Sequence, residues 1–393
     1  MSQVMDKGQK PWKPVDPMRH HRENGWDYRG RAIYHFTLAV EERYPLFGTL
    51  AGESAETAHV RLNAFGRRVC QMLSGLAQFY KGKGYALKVL AQMVMPDHVH
   101  LVIQVLEPLP QSIGAVVRGF KSGCTKVYKE EFFCSGENAA EVHGADYRHG
   151  AAQTHGEAPV HFARIFAGRG SIWQQDAAYY HERILHAPGQ LRRMIDYVKD
   201  NPRRLWLKSH NPDLFKLHRH TEAAGLSFTS MGNHFLLNWP DGQMVEMSRS
   251  ATNEQIQERL REVLAAAHNG AVTYTAAISK GEQLIARSLR EQGYPLVVLL
   301  NDGFPQEGSP HERYYKPGGV YFEACSKGQL LLLEPHESAF VNPAIQMAVE
   351  ETLRKKAEAK HCSYTSLSVE SQRYRFVALN EMGRMLVTRG LEA

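Results

Sequence analysis

The stretch Met95-Pro-Asp-His-Val-His-Leu-Val-Ile103 constrains the fold more than any other part of the chain. His98 and His100 are two apart, and in a β-strand side chains at i and i+2 leave the same face. Val99, Leu101 and Ile103 then leave the opposite face, where helices can cover them. Two imidazoles on one rigid strand make half of a divalent-metal site, with positions left for phosphate oxygens and water. A pair of polar residues on a sheet's wet face is the plain alternative, and H-x-H alone does not choose between them.

The surrounding segments predict a mixed α and β domain. Residues 1–30 are polar, charged and dotted with Pro and Gly, and read as a flexible arm. Ala32–Val40 is β-branched and aromatic and predicts a first strand. The spacing of Val60, Phe65, Val69, Leu73 and Leu76 predicts a helix over Glu56–Tyr80. Ala86–Met95 and Val99–Val105 predict two strands joined at Pro96-Asp97. Residues 111–133 predict a second helix carrying Arg118, Lys121, Lys126 and Lys129. Residues 134–170 are rich in Gly, Ala and His and read as a flexible loop. Their histidines His143, His149, His155 and His161 recur every six residues without clustered ligand spacing, so a solvated loop is preferred to a metal tract. Residues 182–199 predict a helix ended by Asn201-Pro202.

Beyond about residue 225 strands alternate with helices. Strands are expected at Phe235–Trp239, Ala271–Thr275, Pro295–Leu300 and Leu330–Leu333, and helices at Asn253–Ala267, Gly281–Gln292 and Pro343–Ala359. Continuous apolar strands between helices argue for a parallel sheet buried on both faces. The expected division is 1–30, 31–220, 226–345, and a helical extension over 346–393.

Charge is unevenly spread along the 393 residues. Residues 1–220 hold 30 Lys and Arg against 21 Asp and Glu, and residues 221–393 hold 17 against 20. A polyanion partner should therefore dock on the first half. The cysteines Cys70, Cys124, Cys134, Cys325 and Cys362 are scattered and form no C-x-x-C, so neither a disulfide framework nor a structural zinc site is expected, and a reducing cytoplasm fits. No signal-peptide-like core and no run long enough to span a bilayer is expected.

A second candidate segment lies in Leu191-Arg-Arg-Met-Ile-Asp-Tyr-Val-Lys-Asp-Asn-Pro202. Tyr197 and Asn201 are i and i+4, hence neighbours on one helix face. Asn201 can offer an amide oxygen to a hard metal ion, and Tyr197 would sit beside whatever that ion holds. A half-buried packing aromatic is the plain reading of Tyr197.

The strand motif resembles the hallmark strand of the single-tyrosine HUH transposases, most closely the REP-associated members. Ser171-Ile-Trp-Gln-Gln-Asp, His181-Glu-Arg-Ile-Leu185 and Asp196-Tyr-Val-Lys-Asp-Asn-Pro202 resemble that family's second block in the same order, and Arg118-Gly-Phe-Lys121 its intervening basic helix. The resemblance spans roughly residues 25–215. It implies a ferredoxin-like antiparallel sheet with helices, with Tyr197 as nucleophile and a Mg²⁺ or Mn²⁺ ion held by His98, His100 and Asn201. The implied activity is DNA cleavage and rejoining through a 5′-phosphotyrosine. Arg118, Lys121, Arg203 and Arg204 would contact DNA phosphates, and Trp173 could stack a base, although a core position is the preferred reading for it. The implied partner is single-stranded DNA in hairpin-forming repeats; a homodimer is left open. Extra residues around Ala177 and Ala178 make Tyr179 and Tyr180 rivals, and Tyr197 is preferred because Asn201 follows it at helical spacing. The competing readings are a non-catalytic hairpin-binding relative, a histidine-triad hydrolase, and a relaxase or replication initiator with the same chemistry. The second is disfavoured because Val102 stands where its third histidine would be.

The later segment Asn269–Gly281 with Gly293–Leu300 resembles the Rossmann-like core of Dpr/Smf-type DNA-processing proteins. No G-x-G-x-x-G or G-x-x-x-x-G-K-[ST] is present, so dinucleotide or ATP binding is not expected. The loop Ala276–Gly281 opens a helix, where backbone N–H groups could receive a phosphate, and Asn301-Asp302-Gly303 lies at a strand end. A packed domain without ligand is the preferred reading.

Overall fold

The computed structural model describes residues 23, 25–133, 166–168, 170–174, 181–305, 319–359 and 361–389. It divides into two compact units, one within Met18–His210 and one within Asn211–Ala393. The four spaced histidines and the rivals Tyr179 and Tyr180 lie outside the described residues, as does most of the 134–170 segment.

The first unit runs β1 (Ile33–Ala39), a hairpin of β2 (Gly48–Ala51) and β3 (His59–Leu62), α1 (Ala64–Ser74), α2 (Leu76–Lys81), β4 (Leu87–Val94), β5 (His98–Val105), α3 (Ile113–Val127), β6 (His181–Ile184) and α4 (Gln190–His210). Apart from the hairpin and α4, the described elements follow a β-α-β-β-α-β order, the ferredoxin-like pattern. Its sheet is antiparallel, with strands in the order β4-β5-β1-β6. Tyr34, Phe36 and Leu38 of β1 and Val99, Leu101 and Ile103 of β5 form one buried face, packed with Phe65, Val69 and Leu73 of α1 and Val116, Val117 and Phe120 of α3. Apolar burial of this kind dominates the unit's stability. On the other face, Met194 and Val198 of α4 pack against Val102, with Ile33, Ala91, Met93 and Tyr197 around them. The histidine face is therefore covered by a helix rather than left wet.

Three local expectations change. Glu56–Leu62 is not helical: His59-Val-Arg-Leu62 alternates along β3 and pairs with β2. The helix starts only after Asn63, whose side chain accepts the Gly66 N–H at 2.8 Å as an N-cap. The segment expected as one helix over 182–199 opens as strand β6, and α4 continues through Pro202 instead of ending there. Proline removes the N–H that would bond the Val198 carbonyl. The Asn201 amide nitrogen donates to the Tyr197 carbonyl at 2.8 Å and lies 3.5 Å from that of Val198.

The second unit holds β7 (His218–Ala223), β8 (Leu226–Gly232), β9 (Gly242–Val245), α5 (Asn253–His268), β10 (Val272–Thr275), α6 (Lys280–Gln292), β11 (Leu296–Leu299), α7 (Gly319–Ser326), β12 (Leu330–Pro335), α8 (Pro343–Ala359) and α9 (Gln372–Arg389). Its sheet order is β7-β8-β12-β11-β10-β9, with β9 to β12 mutually parallel and β7 and β8 antiparallel at one edge. The four parallel strands lie in chain order, without the reversal that marks the ligand crevice of a doubly wound sheet. The strand expected at Phe235–Trp239 is not formed: His234–Asn238 is a 3-10 turn with Phe235 exposed. Tyr274, Val297, Leu299, Leu331 and Leu333 face Ile345, Val349 and Leu353 of α8 and Leu379, Met382 and Leu386 of α9, so the last two helices are part of this core.

Glu246, just past β9, ties both helices to the sheet: it receives Lys356 Nζ at 2.7 Å and the Arg384 guanidinium. Burial alone would raise its carboxyl, but the two cations hold it below the ordinary 4.5. Glu246→Gln is expected to lower stability at pH 7 by about 1–2 kcal/mol, a modest figure because Lys356 is half exposed. The folded carboxyl titrates below the unfolded one, so its contribution is present above 4.5 and is lost as pH falls through the folded value. Thermal unfolding of wild type and variant should therefore differ at pH 7 and converge in acid.

Candidate active site

The two halves of the site lie 101 residues apart and meet where α4 crosses the sheet. His98 and His100 come from one face of β5 and are 3% and 2% exposed. His98 Nε2 lies 3.1 Å from His100 Nε2, and His100 Nε2 lies 3.2 Å from Asn201 Oδ1. Asn201, 4% exposed, has its amide orientation set by the helix: its nitrogen donates to the Tyr197 carbonyl, so its oxygen faces His100.

The outer ring nitrogens are also engaged. His98 Nδ1 lies 2.5 Å from Asp97 Oδ1, a carboxylate that also pairs with Arg43 at 2.9 Å. A carboxylate accepts only, so the proton of a neutral His98 sits on Nδ1 and Nε2 presents a lone pair. His100 Nδ1 has His35 Nε2 and Thr37 Oγ1 each at 3.1 Å. His100 Nε2 therefore faces two acceptors, and one N–H cannot point at both.

Convergence of this kind fits a cation. Neighbouring ligands at right angles on bonds of about 2.1 Å stand about 3.0 Å apart, close to both contacts found here. Among the described residues no group of three or more His, Cys, Asp or Glu could hold a metal ion, so the trio depends on asparagine as its third donor. Imidazole nitrogen with an amide oxygen suits a hard or borderline divalent ion.

Tyr197 lies one helical turn before Asn201. Its ring stands edge-on to His100 at 5.6 Å between centroids and to His35 at 6.3 Å, and the Arg204 guanidinium lies 5.4 Å from its centroid. Burial pushes the phenol above its ordinary 10, while Arg204, Arg43, the Asn201 side chain and Arg183 pull the other way. Arg183 stands opposite His35 in the β1–β6 register and so shares the histidine face.

The structure thus brings together His98, His100, Asn201, Tyr197 and Arg204. Arg118 and Lys121 lie on α3, which packs on the opposite face of the sheet. Arg118 is exposed, and Lys121 Nζ reaches the Gln174 carbonyl at 3.4 Å. Arg203 is half buried and paired with Asp200 at 2.6 Å. Trp173 is fully buried, donating to the Lys121 carbonyl at 2.9 Å, and offers no face to a base. Sequence reasoning missed His35, Thr37, Arg43, Asp97 and Arg183. Asp97 stood inside the motif, and its place beside His98 was the available signal; the others enter through strand register and a turn.

The second unit's candidate loops are occupied by the chain itself. At the start of α6 the Glu282 carboxylate, 2% exposed, accepts the N–H groups of Ile278 at 2.6 Å, Ser279 at 3.0 Å and Met247 at 2.8 Å. A phosphate at Ala276–Gly281 would have to displace it. Likewise Gly303 and Phe304 donate to Glu334 at 2.7 Å each, and Asn301 accepts from Arg375 at 3.1 Å.

No helix among the described residues is long and apolar enough to cross a membrane. No family model and no curated protein matches the chain. Among solved structures the chain is similar to a REP-associated tyrosine transposase bound to a REP hairpin, at 16% identity over 46% of this chain and 72% of that one, with a TM-score of 0.25. It is also similar to a proposed transposase from Deinococcus radiodurans R1, at 16% identity over 46% of this chain and 96% of that one, with a TM-score of 0.23.

Proposed function

We propose that the chain is a metal-dependent enzyme that nicks and rejoins single-stranded DNA, of the single-tyrosine HUH transposase type. The observation that carries this reading is the convergence of His98 Nε2, His100 Nε2 and Asn201 Oδ1 beside the ring of Tyr197. The two sequence motifs that resemble the family supply exactly these four side chains.

His98, His100 and Asn201 would hold the divalent ion, Mg²⁺ or Mn²⁺. When bound, the ion supplies polarisation of a non-bridging phosphate oxygen. The Tyr197 oxygen bonds to phosphorus as its proton passes to solvent, the bond from phosphorus to the 3′ oxygen breaks, and that oxygen takes up a proton from solvent. The products are a 5′-phosphotyrosine and a free 3′-OH. The phosphoester is conserved, so attack by another 3′-OH on the phosphotyrosine releases Tyr197 and seals a new junction without ATP. Arg204, beside the Tyr197 ring, and Arg183 would offset the negative charge of the phosphate and of the phenolate that forms as Tyr197 loses its proton. A buried phenol loses its proton reluctantly, which makes those guanidinium groups useful at the moment of attack.

The partner is single-stranded DNA with a hairpin-forming repeat. Incubating the full chain with a labelled hairpin oligonucleotide and Mn²⁺ should give a covalent protein–DNA adduct that resists denaturation and disappears when EDTA is added first. Hairpin binding with no adduct from the wild type would instead favour the non-catalytic relative.

A further inference from the structure

Behind His98 the structure holds an arrangement that the reaction as described does not use. The chain leaving β1 turns sharply at Glu42 and Arg43, whose φ angles are 50° and 56°. Neither is glycine, and the left-handed region crowds any Cβ, so such residues persist where surrounding bonds over-determine them. Those bonds are present: Val40 N–H donates to the Asp97 carbonyl at 2.9 Å, Glu41 N–H to the Ile172 carbonyl at 2.9 Å, and Phe47 N–H to the Pro96 carbonyl at 2.9 Å. The turn is thereby fastened to the Pro96-Asp97 corner that leads into β5.

The strained turn delivers Arg43 to Asp97. Arg43 Nε lies 2.9 Å from Asp97 Oδ2, with the two side chains 16% and 22% exposed, and Asp97 Oδ1 lies 2.5 Å from His98 Nδ1. Both carboxylate oxygens are thus used, one toward a guanidinium and one toward an imidazole. A two-sided grip of this kind fixes the rotation of the imidazole ring and decides which nitrogen faces His100. Carboxylates behind metal-ligating histidines orient the ring and raise its basicity.

We propose that Arg43 and Asp97 are positioning residues that hold His98 Nε2 in line with His100 and Asn201, with the Glu42–Arg43 turn as the device that aims them. The inference rests on the metal-site reading above. It assigns no contact with DNA to either side chain.

The test measures Mn²⁺ affinity of the full chain by titration calorimetry, without DNA, alongside the melting temperature of each apo variant. Asp97→Asn keeps the shape of the side chain but weakens the grip, and Asp97→Ala removes it. Asp97→Ala is expected to bind Mn²⁺ roughly 10- to 100-fold more weakly. Arg43→Ala should lose less, and Arg43→Lys should recover part of that loss, because a lysine can still pair with Asp97. Should Asp97→Ala fold poorly, Asp97→Asn and the Arg43 pair carry the measurement, since the backbone bonds of the corner do not involve those side chains. Affinities within twofold of wild type in folded Asp97 and Arg43 variants would overturn the proposal. A folded wild type that binds no Mn²⁺ would overturn it together with the metal site. Weakened binding in the variants beside a wild type that forms no DNA adduct would leave the positioning role of Arg43 and Asp97 standing and defeat the nicking reading alone.

Discussion

Tyr197→Phe should abolish covalent capture of a hairpin oligonucleotide, by at least roughly a thousandfold in rate, because the attacking oxygen is gone. His35 and His100 stand around the ring, but neither carries a hydroxyl, and Arg204 cannot act as a nucleophile on phosphorus. The side-chain outline is otherwise preserved. Stability should therefore change by no more than about 1 kcal/mol, the worth of one hydroxyl's bonds, and hairpin affinity by about twofold or less. Mn²⁺ affinity should stay near the wild-type value, since the phenol is not among the three converging donors. Denaturing gel analysis of the adduct, together with an equilibrium binding curve, checks all of this. An adduct that persists in Tyr197→Phe would mean that another residue attacks, and the assignment of Tyr197 would fall.

His100→Ala should have the largest effect on metal binding. His100 is the middle member of the trio, with His98 on one side and Asn201 on the other. Its removal leaves two donors without the atom that links them, and a loss of at least roughly a hundredfold in Mn²⁺ affinity is expected, beyond the range for disturbing an outer-shell partner. The adduct should disappear with it. The variant should also be less stable by about 1–3 kcal/mol, because His35 Nε2 and Thr37 Oγ1 lose their shared partner in a buried place. Those two losses separate the roles of the ring: His100→Gln would restore part of the stability and little of the metal affinity. Calorimetric titration and thermal unfolding read the two independently. Unchanged Mn²⁺ affinity in a folded His100→Ala would show that the ion is held elsewhere or not at all.

Much of the first unit could be read along the chain. A strand is expected at Val99–Val105 and a basic helix over 111–133, and β5 and α3 lie there. The exceptions have identifiable causes. His59-Val-Arg-Leu62 satisfies both a strand and a helix template over four residues, so the longer helical run absorbed it; the Asn63 cap was the signal that could have divided them. Pro202 marks a helix end in most sequences, yet α4 runs through it, with the Asn201 side chain bonded to the Tyr197 carbonyl one turn back. The loop Ala276–Gly281 has the composition of an anion-binding turn. Only the folded chain reveals that Glu282 already fills it.

Local periodicity was enough to determine which residues share a face: two imidazoles on one side of a strand, a phenol and an amide on one side of a helix. Bond geometry sets those relations within a few residues, so any reader of the chain can recover them. That the strand and the helix meet was decided only by tertiary structure, through Val102, Met194 and Val198 packing between them and through the β1–β5 register that places His35 and Thr37 behind His100. The same holds for Arg43, which reaches Asp97 across a strained turn. Contacts between distant segments depend on how whole surfaces fit, and no short window of sequence contains that information.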